Sequence, residues 1–345
     1  MLKYKVRFAI VLPLILGLST VSTFSAETWR LEKGQDWKPV SAEGKDKFLL
    51  AVAKVKQLVA TGQTKAVRKA LEQLKTDYPE IAGPDFDLFI QAEVLFSKGK
   101  YTQAVRSYDK LLAKYPESAL FEAVLDRQFA IATAFLAGQK RPVLGVFKMK
   151  GYTEGAKIME RITDRAGDAP IGIKAAVAVA KSLERRAKFA EAYYKWSDVS
   201  SRWPTGQTGK DSLFAMARCR HAAYKGPNYD ASTLVSAKTY YENFKLRYPK
   251  DAEYIGVDKI LKQINEQLAY KQFSVAQYYQ KSGNIQSANL YYQMVIDDWP
   301  ASQPAELAKT AMNGEKSSRD PALREPSKKE KTWKKSIRKL EELLL

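Results

Sequence analysis

Residues Asp85–Pro116 read DFDLFIQAEVLFSKGKYTQAVRSYDKLLAKYP. A helix-like run, Asp85–Ser97, meets the polar turn Gly99-Lys100-Tyr101, and a second helical run closes on Tyr115-Pro116. Proline ends the unit because it has no N–H to give and its ring clashes with the preceding turn. It also pushes the residue before it towards extended geometry. Helix A, turn, helix B, proline is one supersecondary unit.

The closing dipeptide recurs at Tyr78-Pro79, Tyr115-Pro116, Trp203-Pro204, Tyr248-Pro249 and Trp299-Pro300. Fifteen residues before each proline stand Thr64, Tyr101, Phe189, Leu234 and Ile285. Three residues on from these come Val67, Ala104, Ala192, Ala237 and Ala288. Seven on are Leu71, Tyr108, Trp196, Tyr241 and Tyr292, and ten on are Leu74, Leu111, Val199, Phe244 and Val295. These offsets fall within a sector of roughly 60° on a helix. A small residue where backbones approach, beside a large one that fills the adjacent gap, is the pattern close helix packing needs. Further A helices are expected at Ala175–Arg186 and Gln267–Gln280.

A sixth, degenerate copy has Tyr152, Gly155, Met159 and Ile162 in the B-helix positions, but Gly167 replaces the proline and Pro170 follows. Its A helix, Glu122–Ala137, is separated from the B helix by a longer loop from Gln139 to Lys150. The fifth repeat carries an insertion, Gly226–Asp230. Extra loops in a solenoid project from one face, where they either touch partners or are neutral. The expected fold is an all-α helical-hairpin solenoid of five to six repeats over residues 48–304.

The chain of 345 residues carries 57 Lys and Arg against 38 Asp and Glu, a net charge of +19. Such a balance suits acidic partners or is a solvated surface with a basic tail. Zinc-ligand pairs and RNP-like strand motifs are missing, so no nucleic-acid partner is expected. Cys219 and His221 are the sole cysteine and histidine. Cys219 is read as a buried small hydrophobe. No paired-carboxylate motif, phosphate loop or metal-ligand spacing is present, so neither an enzyme nor a cofactor is expected.

Residues 1–25 combine Lys3, Lys5 and Arg7, an apolar run Phe8–Leu18 and small residues before a plausible cut after Ser25. That is the pattern of a secretory signal peptide, so the mature protein is expected outside the cytoplasm. No cysteine follows the apolar run, which excludes lipidation there. Residues 26–47 form a lead-in and 305–330 a basic linker, followed by an amphipathic helix at 331–345. In that helix Trp333, Ile337, Leu340 and Leu344 fall on one face, with Lys334, Lys335, Arg338 and Lys339 between. It either lies on an anionic membrane or partner, or caps the last repeat.

The turn Gly99-Lys100-Tyr101 with Ala104, Tyr108 and Pro116 resembles the tetratricopeptide repeat. Within that class, Phe273–Gly283, Ser287–Tyr292 and Trp299-Pro300 are similar to the last repeat of BamD-type outer-membrane assembly factors. That resemblance implies a periplasmic, non-catalytic scaffold, peripheral at the outer membrane. Its implied partners are the barrel insertase, other assembly-machinery subunits and unfolded outer-membrane proteins. A periplasmic adaptor for peptidoglycan or envelope assembly complexes is the alternative. The resemblance also implies that A helices line a partner-binding groove. Phe86, Phe89, Glu93 and Phe96 in the second repeat, and Tyr270, Phe273, Gln277 and Gln280 in the last, are its expected lining. Each phenylalanine either grips an extended apolar peptide or packs between helices.

Overall fold

A computed structural model describes residues 29–30, 38–39, 42–79, 82–143 and 147–317. The expected signal peptide and the tail residues Trp333, Lys334, Lys335, Arg338 and Lys339 lie outside the described residues. The chain divides into two units, Met1–Ala82 and Gly83–Leu345.

The first unit holds a two-residue strand pair, β1 (Trp29–Arg30) and β2 (Lys38–Pro39), and one helical hairpin. The hairpin is α1 (Ala42–Ala60) with α2 (Thr64–Asp77), closed around buried Val55, Val59, Val67, Leu71 and Leu74.

The second unit is a succession of hairpins. Helices α3 (Pro84–Ser97) and α4 (Tyr101–Lys114) form the first. Next come α5 (Phe121–Leu136), a short antiparallel ribbon of β3 (Lys140–Val143) and β4 (Phe147–Lys150), and α6 (Tyr152–Ala166). Then α7 (Pro170–Arg185) pairs with α8 (Phe189–Arg202), and α9 (Gly206–Ala222) with α10 (Ser232–Arg247). A short helix α11 (Pro249–Ile255) leads into the long α12 (Val257–Lys281), which pairs with α13 (Ile285–Asp298). Helix α14 (Gln303–Ser317) follows. The fold is the expected all-α helical-hairpin solenoid.

The counted register predicts the core residue by residue. Every residue at the three contact offsets of the five proline-ended B helices is buried, and so are Gly155, Met159 and Ile162 in the degenerate copy. Four of those five helices begin at the counted residue; α10 starts two residues early, at Ser232. The residue before each proline leaves the helical region, with φ from −129° to −135°. Its ψ is 56–73°, and its N–H still donates to the carbonyl at the third offset, as Tyr115 does to Leu111 at 2.8 Å.

The A-to-B turn is equally regular. The residue before the B-helix cap adopts a left-handed conformation in α2, α4 and α13, at Gly62, Gly99 and Gly283 with φ of 69°, 69° and 80°. The next N–H reaches back five residues, as Lys100 does to Leu95 at 2.9 Å and Asn284 to Tyr279 at 3.0 Å, which closes a Schellman turn. The α7–α8 turn makes the same bond, Lys188 to Leu183 at 3.0 Å, but places Ala187 at φ 54°. A side chain there clashes with the carbonyl oxygen that follows. Ala187→Gly is therefore expected to stabilise the protein by about 0.5–1 kcal/mol. A raised urea midpoint at unchanged slope is the result to look for; a lowered midpoint contradicts the assignment.

Three departures from the sequence expectations have local causes. Within the expected Gln139–Lys150 loop, Lys140–Val143 and Phe147–Lys150 pair as a β-ribbon, pinned at its base by Gly151 N–H donating to the Gln139 carbonyl at 2.9 Å. Helix α12 starts ten residues before the expected Gln267, since Gly256, left-handed at φ 80°, separates it from α11. The basic linker expected from residue 305 is helical as far as Ser317. Ser302 caps that helix through its Oγ, 3.2 Å from the Ala305 N–H, and Ala305 and Ala308 are buried in the α12–α13 core.

Candidate functional site

Fully buried alanines of α3, α5, α7, α9 and α12 include Ala92, Ala132, Ala180, Ala217 and Ala276. Each sits in the core cluster of its own hairpin with the small residue of the B helix; in α5 and α6 a Cβ on Gly155 would come within 2.9 Å of the Ala132 carbonyl. These alanines set a common rotation. Side chains three before, one after and four after the alanine share one side of each helix.

Residues of α5, α7 and α9 bound a cleft of about 420 Å³. Phe129 and Leu136 from α5 and Ala178 from α7 give it an apolar floor, and Thr133 stands exposed at its edge. Lys181, Glu184 and Arg185 from α7 and Arg218 from α9 supply its charge. Glu184 is tied inward: it accepts from Trp196 Nε1 at 2.5 Å, from the Cys219 thiol at 3.3 Å and from Arg218 Nη2 at 2.6 Å. Burial, and then the Glu184 carboxylate, push the Cys219 thiol far up, so it stays a protonated donor rather than a nucleophile.

The residues expected to line the groove are placed differently. Phe86, Tyr270 and Phe273 are core residues, and Glu93 is fully buried. None of these four presents its side chain to a partner. Phe86 stacks on Phe89 at 6.1 Å, Tyr270 on Phe273 at 6.3 Å, and Phe273 meets Tyr292 at 5.4 Å. Glu93 Oε1 accepts from the Tyr108 hydroxyl and from Arg127 Nε at 2.9 Å, which satisfies one oxygen of a buried carboxylate. Burial first, and then Glu93, raise the Tyr108 pKa well above the usual phenol value. Phe89 and Phe96 are half-buried, and the Arg127 guanidinium lies 5.2 Å from the Phe96 ring centre. Gln277 and Gln280 are half-buried, and Gln280 accepts from the Tyr292 hydroxyl at 2.7 Å.

Phe129, Leu136, Lys181, Arg185 and Arg218 escaped the sequence reading. Counting back from the turn fails in α5, where the ribbon intervenes.

The sole histidine has no place in the cleft. His221 is buried, bonds Gln267 Oε1 through Nε2 at 2.9 Å and meets the Tyr241 ring edge-on at 6.2 Å, while Nδ1 has no partner. Burial lowers its pKa, and the Gln267 bond only partly opposes this. The unfolded chain therefore takes up the proton first, near pH 6.5. The stability His221 contributes is complete above that value and is lost as pH falls through it towards the lower folded-state value. Thermal midpoints taken from pH ~7.5 down to ~5 should fall more steeply for the native chain than for His221→Gln. Parallel curves would contradict this.

Among the described residues, no group of three or more His, Cys, Asp and Glu could hold a metal ion, and no helix is long and apolar enough to cross a membrane. The tetratricopeptide repeat family model matches residues 88–118, the α3–α4 hairpin and its exit. No curated protein matches the sequence. Among solved structures, the C-terminal part of a TPR repeat-containing protein from Cytophaga hutchinsonii aligns at 15% identity and a TM-score of 0.36, over 77% of this chain and 93% of that one. A tetratricopeptide repeat protein from Parabacteroides merdae aligns at 11% identity and a TM-score of 0.31, over 77% of this chain and 99% of that one. The tetratricopeptide character of the chain rests on the hairpin register and the family match; such repeats are protein-interaction modules.

Proposed function

We propose that the protein is a non-catalytic scaffold exported to the periplasm, where it holds extended segments of partner or client proteins during outer-membrane β-barrel assembly. The observation that carries the binding role is the cleft over α5, α7 and α9, which offers an apolar floor and unspent cations on rigid helices. Rigid helices hold such a surface in place before the ligand arrives, so little conformational entropy is lost on binding. The reading as a barrel-assembly factor is supported by the likeness of residues 273–300 to the last repeat of BamD-type proteins, and the periplasmic location by the signal-peptide pattern of residues 1–25. The tail would then add a peripheral contact with the anionic membrane surface.

In-cell crosslinking of the full chain followed by mass spectrometry tests the proposal. Recovery of a barrel insertase together with nascent barrel proteins is the expected result. Recovery of peptidoglycan synthases without them would replace it with the envelope-adaptor reading.

A further inference from the structure

We propose that the α5/α7/α9 cleft selects segments carrying an acidic side chain next to an apolar one. This rests on the reading of that cleft as the binding site. The cations of the A helices differ in how they are occupied. Arg127 is held by Glu93 at 2.9 Å and by the Phe96 ring. Arg220 lies 3.7 Å from the Tyr193 ring centre, and Arg186 4.3 Å from that of Tyr152. Arg218 is on Glu184 at 2.6 Å. Lys181 and Arg185 are both exposed and form no hydrogen bond or ion pair with any described residue. They lie four apart on α7, hence on one face, and both line the cleft.

Glu184 does not cancel them. Its oxygens are already committed to Trp196, Cys219 and Arg218, so its charge is balanced by Arg218 and the cleft keeps a net positive lining. An incoming carboxylate would meet an ammonium and a guanidinium on one side, and Arg185 can engage it with two parallel N–H donors. The residue beside it meets the half-buried Phe129 and Ala178, which reward apolar surface. Over α3 the corresponding charge is spent: Glu93 is buried and its partner Arg127 is already neutralised. Charge therefore places the acidic residue of the ligand over α7.

The test is a selection of random short peptides displayed on phage against the full-length protein. The strongest peptide is then synthesised both with its acidic residues and with Asn or Gln in their place. Selected peptides should be enriched in Asp or Glu beside an aliphatic or aromatic residue. By fluorescence anisotropy the acidic form should bind roughly tenfold or more tightly than its amide counterpart, a preference that added salt erodes. The double variant Lys181→Gln, Arg185→Gln should lose the preference, while Lys181→Arg, Arg185→Lys should keep it. Both residues are exposed, and an unchanged thermal midpoint verifies folding. Selection without acidic enrichment, a preference surviving in the double variant, or equal binding of a short oligonucleotide overturns the inference. A photocrosslinker at Thr133 separates the two levels. Capture of peptides without an acidic preference leaves the cleft standing and removes the selectivity; selection of no peptide at all removes both.

Discussion

Trp196→Ala is expected to destabilise its hairpin by about 3–5 kcal/mol. The indole is 1% exposed and belongs to a cluster with Ala180, Ala192, Val199, Ala215, Met216 and Cys219. Truncation removes a large apolar area and leaves a cavity that neighbouring alanines are too short to fill. It also deprives Glu184 of the indole N–H, leaving Oε1 with only the weak thiol donor of Cys219. In a solenoid each repeat contacts only its neighbours, so the loss should stay local. Hydrogen exchange should accelerate across α7–α10 and change little in α3 and α4, and Trp196→Phe should be milder. Uniform acceleration, or a loss under about 1 kcal/mol, contradicts this description of the core.

The second large effect is on binding. Lys181→Glu combined with Arg185→Glu is expected to weaken capture of an acidic segment by about 2–3 kcal/mol, roughly 30- to 150-fold in Kd. Exposed single ion pairs are worth at most about 1 kcal/mol, so neutralising the two cations costs less than reversing them. Reversal adds repulsion from both positions, and a bound segment excludes the water that would otherwise screen it. Because both side chains are exposed, the thermal midpoint should move little. Affinity unchanged within twofold would mean that neither residue faces the ligand.

The core was legible in the sequence because it is periodic. Tyr108, Trp196, Tyr241 and Tyr292 repeat at one offset from a proline that cannot continue the helix before it, so a single count recovers most helix starts, ends and buried faces. Elements that break the period were not legible. The β3–β4 ribbon has no counterpart in the other hairpins. Helix α11 arises because Pro249 begins a helix as readily as it ends one. Helix α14 follows the last Trp-Pro, where the repeat offers no further landmark, and its Ala305 and Ala308 are small enough to pass for linker residues. At the groove, aromatic residues such as Phe86 and Tyr270 were natural candidates, yet their size is what commits them to the core. Lys181 and Arg185 looked like ordinary solvated charges; only the placement of α5 and α9 on either side of α7 turns them into the wall of a cleft.

The central claim is that partner segments occupy the α5/α7/α9 cleft. Site-specific photocrosslinking in cells tests it most directly, with the reactive residue placed at Thr133, at Lys181, or at Ser201, which is exposed on the B helix α8. The account predicts protein adducts from Thr133 and Lys181, and few from Ser201. Adducts from Ser201 with none from the two cleft positions would contradict it.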